Sequence, residues 1–268
     1  MRHDSLLVVF SELSGYTSKY KVMSEGELAL RIRECVSSLL SEAEREELET
    51  DLGANPDDLI FRSITTRDEK LSVFSPDMHT KVNYQGEIFY CLPTHRYLSD
   101  ELDAAFLRWA VIRTPPDVLK RVIEQFLNRA GYRILTQKPP LIVKARENEY
   151  ESLELFAEKE NKKPLQIFIF SSIKFVPYFI GANPPVASET TSVIVVPIEK
   201  TPAPFISFFR EQHDIGDAMI WVADVARKTI APFMGIAEDE ELETNFANPD
   251  KARSAVSMWM KKMPFLDL

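Results

Sequence analysis

The chain is short of the residues from which most catalytic sites are built. Its 268 residues include two cysteines, Cys35 and Cys91, too few for a disulfide framework, and neither has a CxxC or Cys/His spacing suited to zinc. Such sparing use of cysteine fits a reducing, cytoplasmic setting. The four histidines, His3, His79, His95 and His213, are scattered, with no H-E-x-x-H motif and no i, i+4 pair for a metal. Eight glycines contain no G-x-G-x-x-G and no G-x-x-x-x-G-K, which disfavours a phosphate cradle. Without a G-x-S-x-G there is no nucleophile elbow, and no cofactor is expected. Positive charge is in deficit too. A formal charge of -9 argues against a dedicated nucleic-acid binder, whose affinity comes mainly from clustered Lys and Arg on phosphates. Long apolar runs are missing: the longest, residues 167–180, is broken by Lys174 and Pro177 and falls short of the ~20 residues that cross a bilayer. The apolar stretch at residues 6–10 is too short for a signal peptide and reads as a first strand.

What is there organises into two modules, an expected α+β fold. Thr114-Pro115-Pro116 marks the boundary, because a residue before proline is pushed out of the helical region. The first module, residues 1–113, combines helices with an antiparallel meander. Leu28, Ile32, Val36 and Leu39-Leu40 fall on one helical face, and Ser41 with Glu44 has capping-box spacing for a second, acidic helix bearing Glu42, Glu46, Glu47 and Glu49. The meander is expected at residues 59–64, 70–74 and 87–92, between turn signals at Asp57-Asp58, Arg67-Asp68, Ser75-Pro76-Asp77 and Gln85-Gly86. Ser99 caps a closing helix with Leu102, Ala105-Phe106, Trp109 and Ile112 as its apolar positions.

The second module, residues 117–237, opens on a helix with Asp117 as cap, Val118, Val122, Phe126 and Leu127 as its buried stripe, and Ala130-Gly131 as its end. Strands are expected at 132–136, 141–145, 152–158 and 165–170, with 173–180 extending the last or crossing as a loop. A buried strand at 193–197, a helix at 204–212, a strand at 218–223 and a helix at 225–234 complete a mixed sheet with at least one parallel βαβ pair. Residues 238–268 read as an acidic linker, Glu238 to Glu241, followed by an amphipathic tail helix with Trp259-Met260 and Met263.

The stretch Phe126-Leu127-Asn128-Arg129-Ala130-Gly131-Tyr132-Arg133-Ile134 resembles the opening of the PD-(D/E)XK, or restriction-endonuclease-like, superfamily. Members begin with a helix, a Gly-Tyr turn and a strand, followed by strands bearing an acidic residue and a Glu-x-Lys. The resemblance covers residues 117–234 and implies a Mg²⁺-dependent nuclease. Glu160, Lys162 and Glu158 would be catalytic, from the triplet Glu160-Asn161-Lys162, and Glu147 and Glu160 would hold the metal, with Glu147 or Glu149 in place of the usual Asp. The metal-binding Asp is missing, since no aspartate lies between Asp117 and Asp214, so glutamates alone would hold the ion. The same segment is similar to secretion-chaperone-like domains, which bind peptides and do no chemistry.

Other chemistry is confined to His213, with Asp214, Asp217 and Asp224 flanking the strand at 218–223, which suggests a small-molecule hydrolase around His213 and Asp224. Asp224 also suits a helix cap. Phe175, Tyr178, Phe179 and Asn183, beside the proline-rich stretch 184–204, and Trp259 and Met260 in the tail are candidate binding residues. The sequence therefore points first to a non-catalytic protein-interaction or regulatory module, with a protein partner or self-association. A divergent PD-(D/E)XK-type nuclease and the hydrolase are the alternatives.

Overall fold

The computed structural model describes residues 2–66, 78–92, 99–137, 139–183 and 189–248. The expected strand at 70–74 and the tail helix with Trp259 and Met260 lie outside the described residues. The chain divides into two compact units, residues 1–109 and 110–268, and the fold is α+β.

The first unit contains α1 (Arg2–Lys19), β1 (Val22–Ser24), α2 (Glu25–Leu39), α3 (Glu42–Leu52), α4 (Pro56–Thr65), β2 (Thr80–Tyr84), β3 (Glu87–Cys91) and most of α5 (Ser99–Arg113). Among the described residues, β1, β2 and β3 form an antiparallel sheet in the order β1-β3-β2. The expected strand at 6–10 is part of α1, because Val9, Leu13 and Thr17, all buried, recur every four residues and so fall on one helical face. The expected strand at 59–64 is α4. Asn55 accepts the amide of Asp57 at 2.9 Å, Pro56 opens the first turn, and Ile60 and Ile64 are buried one turn apart. Ser41 and Glu44 do form the capping box, and the Gln85-Gly86 turn joins β2 to β3 with both residues at positive φ. Among its described residues the Glu27 carboxylate is fully buried. Glu27 receives Arg108 in a bidentate pair at 2.6 and 2.9 Å and the Tyr16 hydroxyl at 3.0 Å.

In the second unit, α6 (Pro116–Arg129) precedes β4 (Arg133–Gln137), β5 (Leu141–Ala145), β6 (Asn148–Glu158) and β7 (Leu165–Ile169). A 3₁₀ turn (Ile173–Phe175) leads into α7 (Val176–Ala182). Then come β8 (Thr191–Pro197), α8 (Ala203–Arg210), β9 (Met219–Asp224), β10 (Thr229–Met234) and α9 (Glu240–Asn245). The mixed sheet runs β10-β9-β8-β7-β6-β4, with β5 on the other half of β6. Strand pairs β7/β8 and β8/β9 are parallel and the rest antiparallel.

Four expectations change here. Asp117 lies in the first turn of α6, and the cap position is Pro115, which offers no side-chain bond. The segment 173–180 is a 3₁₀ turn and helix, started by Ser172, whose hydroxyl accepts the Lys174 amide at 3.2 Å. The helix expected at 225–234 is a hairpin arm. Asp224 Oδ1 accepts the Arg227 amide at 3.0 Å and Lys228 takes a positive φ, so the chain reverses, and Pro232 is tolerated because β10 is an edge strand. Finally, the expected acidic linker is structured: Asp239 caps α9, and Ala237, Leu242 and Phe246 belong to the unit's core.

That core lies between one face of the sheet and the pair α6 and α9. The α6 stripe of Leu119, Val122, Ile123, Phe126 and Leu127 is buried against Leu155, Ile167, Val195 and Trp221. Phe126 stacks on Phe246 at 5.2 Å and meets Trp221 edge-on at 5.5 Å. Among the described residues no helix is long and apolar enough to cross a membrane.

Candidate functional site

Strand register decides which side chains meet on the sheet face away from α6. One row crosses four strands, Glu154↔Phe168↔Ile194↔Ile220, and the next holds Phe156↔Gln166↔Ser192. Gln166 bridges the rows: its Nε2 donates to Glu154 Oε1 at 2.7 Å, and its Oε1 accepts the Thr190 hydroxyl at 3.3 Å. Those two bonds fix the amide and, through it, the Glu154 carboxylate.

A groove of about 940 Å³ opens over these rows. Gln166, Ser192, Phe168, Ile194 and Glu154 line its floor, and Phe179, Ile180 and Asn183 form the wall contributed by α7. The loop Ile215–Ala218, the turn carrying Lys162 and Lys163, and Glu238, Asp239 and Leu242 complete the rim. The Phe179 ring lies 4.6 Å from Phe168, so the α7 wall is anchored by aromatic packing. Ligand clefts of open α/β sheets usually sit beyond the carboxyl ends of the strands. This one is reached from the amino ends of β7, β8 and β9, at Leu165, Thr191 and Met219.

A charged latch closes the α9 side of the rim. Lys159 Nζ lies 2.7 Å from Asp239 and 2.7 Å from Glu241, Lys162 Nζ lies 3.6 Å from Asp239, and Lys159 also sits 5.4 Å over the Tyr132 ring. Burial pushes the Tyr132 phenol far above its ordinary range, and the charges of Asp239 and Glu241 add to this. At Asp239 burial also pushes upward. Hydrogen bonds from Lys159, the Glu241 amide and the Tyr132 hydroxyl outweigh it, and the carboxyl is held below its usual value.

At the opposite, carboxyl end of β7 and β8, buried Glu199 pairs with Arg113 and accepts the Ser172 hydroxyl at 2.6 Å.

The residues singled out from sequence fall in several places. Glu147 is exposed in the β5–β6 turn, whereas Glu158 ends β6 in an ion pair with Arg133 and Glu160 is exposed in the following turn. The 11 residues of β6 put about 33 Å between Asn148, next to Glu147, and Glu158 at ~3.3 Å per residue. Glu147 and Glu160 therefore do not share an ion, whose ligands must all lie within about 2.6 Å of it. Among the described residues no group of three or more His, Cys, Asp or Glu is gathered to hold a metal. Lys162 reaches the groove rim through Asp239. His213 bonds Glu211 at 2.7 Å ahead of β9, and Asp224 caps the turn after it. The strand β9, about 17 Å long at ~3.3 Å per residue, runs between them, with His213 ahead of it and Asp224 its last residue.

Of the candidate binding residues, Phe179 and Asn183 line the groove. Phe175 is buried against Tyr150 at 5.0 Å, and Tyr178 is half-buried on α7. The set Glu154, Gln166 and Thr190 escaped the sequence reading as a unit. Its one local signal is Gln166, a polar residue at an alternating position inside the apolar strand 165–170.

Residues 147–248 match the family profile of the C-terminal domain of DUF6834, a domain of unknown function. The match begins in the β5–β6 turn and ends just past α9, so it takes in nearly all of the groove lining. No curated protein matches the chain.

Proposed function

We propose that this protein is a non-catalytic binding module that holds a segment of a protein partner in the groove of its second unit. The observation that carries the reading is the groove's own chemistry. Its floor joins aromatic and aliphatic side chains to polar groups that hold one another in place, Thr190 to Gln166 to Glu154. A nucleophile needs a base within hydrogen-bond reach and a third group to orient that base. The groove hydroxyls of Thr190, Thr191 and Ser192 have no histidine beside them among the described lining residues. A cytoplasmic setting belongs to the same proposal, supported by the free thiols of Cys35 and Cys91.

The test is a photo-cross-linking residue placed at Ile180 on the groove wall and, as a control, at Arg121 on the exposed face of α6. In the native cell, irradiation should yield a protein adduct of discrete mass from position 180 only, and filling the floor with Ser192→Phe should remove it. No adduct at 180, or equal adducts at both positions, would refute the reading.

A divergent metal-dependent nuclease remains a second proposal, because the order α6, Gly131-Tyr132, β4 and the paired strands after it agrees with the resemblance, and Glu154 supplies a carboxylate within a groove. Against it, the strand beside Glu154 offers Gln166-Ile167-Phe168, with neither acid nor lysine. Mg²⁺ or Mn²⁺ raising the melting temperature of the wild type and not of Glu154→Gln would favour it.

A further inference from the structure

We propose that the groove holds its segment in one direction only, with a basic residue at Asp217 and an acidic residue at Lys163, about three or four positions apart with apolar residues between. This rests on the binding reading above and adds the chemistry and polarity of the partner. The two charges stand on opposite flanks of the mouth. Asp217 sits in the loop just ahead of β9, and Lys163 in the turn just ahead of β7. Both are exposed, and neither has an ion-pair partner among the described residues. Leu165 faces Thr191 and Met219 faces Val193, so β7 and β9 begin two strands apart and two residues out of step. At ~4.8 Å per strand and ~3.3 Å per residue these starts lie about 12 Å apart. Asp217 and Lys163 each precede their strand by two residues. They keep about that span, which ~3 to 4 residues of an extended chain cover.

The neighbouring charges sharpen the division. On the lysine flank Lys159 and Lys162 are paired with Asp239, which leaves Lys163 to face the partner. On the other flank Gly235 takes a positive φ and packs against Met219, so the chain turns at the start of β9 and sets Ile236, 71% exposed, on the rim there. Glu238, also exposed on the rim, adds a second negative charge. Phe168 and Ile194, side by side on the floor, and Phe179 on the wall supply the apolar surface between. Opposite charges at the two ends of an interface fix register and orientation more than they add affinity. A reversed segment would set like charges together at both ends, which is a repulsive element against the wrong direction.

The test pans a random nonapeptide library displayed on phage against the full chain. Counter-selection uses Ser192→Trp, which fills the floor, or Ile180→Trp in the wall should that variant not fold. Enriched peptides should carry a base and an acid about three or four positions apart around apolar residues, in one order. For one such peptide, replacing its base by glutamine should weaken binding to the wild type about two- to fivefold, the scale of an exposed ion pair, and leave binding to Asp217→Asn unchanged. The charge-reversed chain, Asp217→Lys with Lys163→Glu, should enrich the opposite order. Enriched peptides that lack the charge pair, or carry it equally in both orders, would overturn the inference and leave the groove reading standing. The same order from the reversed chain, or glutamine costing the two proteins equally, would do so too. No enrichment over the counter-selected variant would overturn both readings. Should the reversed chain fail to fold, the order among wild-type binders still decides.

Discussion

Replacing Asp239 by alanine tests whether the acidic stretch at 238–241 is a surface run or part of the core. Its side chain is only 6% exposed, against 64% for Glu241 in the same stretch. Three contributions are lost. The cap on the Glu241 amide, at 3.2 Å, is worth about 1 kcal/mol. The Tyr132 hydroxyl, in a residue 3% exposed, loses its acceptor at a cost of about 1–3 kcal/mol. Lys159 keeps Glu241 but loses its buried partner, so the total should be about 3 kcal/mol, at the lower end of the cost of breaking a buried pair. Urea unfolding followed by tryptophan fluorescence measures it, since Trp221, 1% exposed beside Phe126 and Phe246, reports on the second unit. Glu240→Ala, an exposed neighbour in the run, should leave the midpoint where it is.

The acid limb gives an independent check. The folded-state value of Asp239 lies below its unfolded value, so its contribution is fully present above the unfolded carboxylate value of about 3.9 and is lost as pH falls through the folded one. Wild type should therefore lose stability below about pH 4, and Asp239→Asn should lack that part of the decline. A loss under about 1 kcal/mol for Asp239→Ala, equal to an ordinary surface substitution, together with an unchanged acid limb, would refute the latch and restore the solvated acidic run.

Gly26→Ala in α2 would set a Cβ 2.3 Å from Trp109 Cζ2, so in place of the usual gain of up to ~1 kcal/mol for alanine in a helix it should cost about 1–3 kcal/mol; thermal unfolding of the single variant and of its pair with Trp109→Leu, which should relieve the clash, checks this. Tyr16 is pushed up to about 12 by burial and then by the charge of Glu27. Because the unfolded phenol ionises near ~10, stability should fall as pH rises above that value, and Tyr16→Phe should flatten the decline in a pH series of urea midpoints.

Local signals recovered the elements whose period runs long enough to be decided. The stripe Leu28, Ile32, Val36 and the capping box at Ser41 belong to this class, as do the strands around β6, β7 and β8. The failures at 6–10, 59–64 and 225–234 are short apolar stretches, where a strand and a helical turn bury the same residues and only a cap or a turn decides. At 59–64 that decision was present in Asn55-Pro56, a cap followed by a proline at the first helical position.

The groove was hidden for a different reason. Glu154 meets Gln166 across a register that no local pattern encodes, and Lys159 meets Asp239 from 80 residues away. Charge runs read along the chain look solvated because their partners are not in the run. Leu242 and Phe246, one helical turn apart and preceded by a capping aspartate, were the one local mark that residues 238–246 form a packed helix. A capping acid with an apolar i, i+4 pair behind it argues for burial even inside a run of glutamates. By the same logic, a lone amide in an apolar strand, as at Gln166, marks the sheet face on which a polar partner must be found.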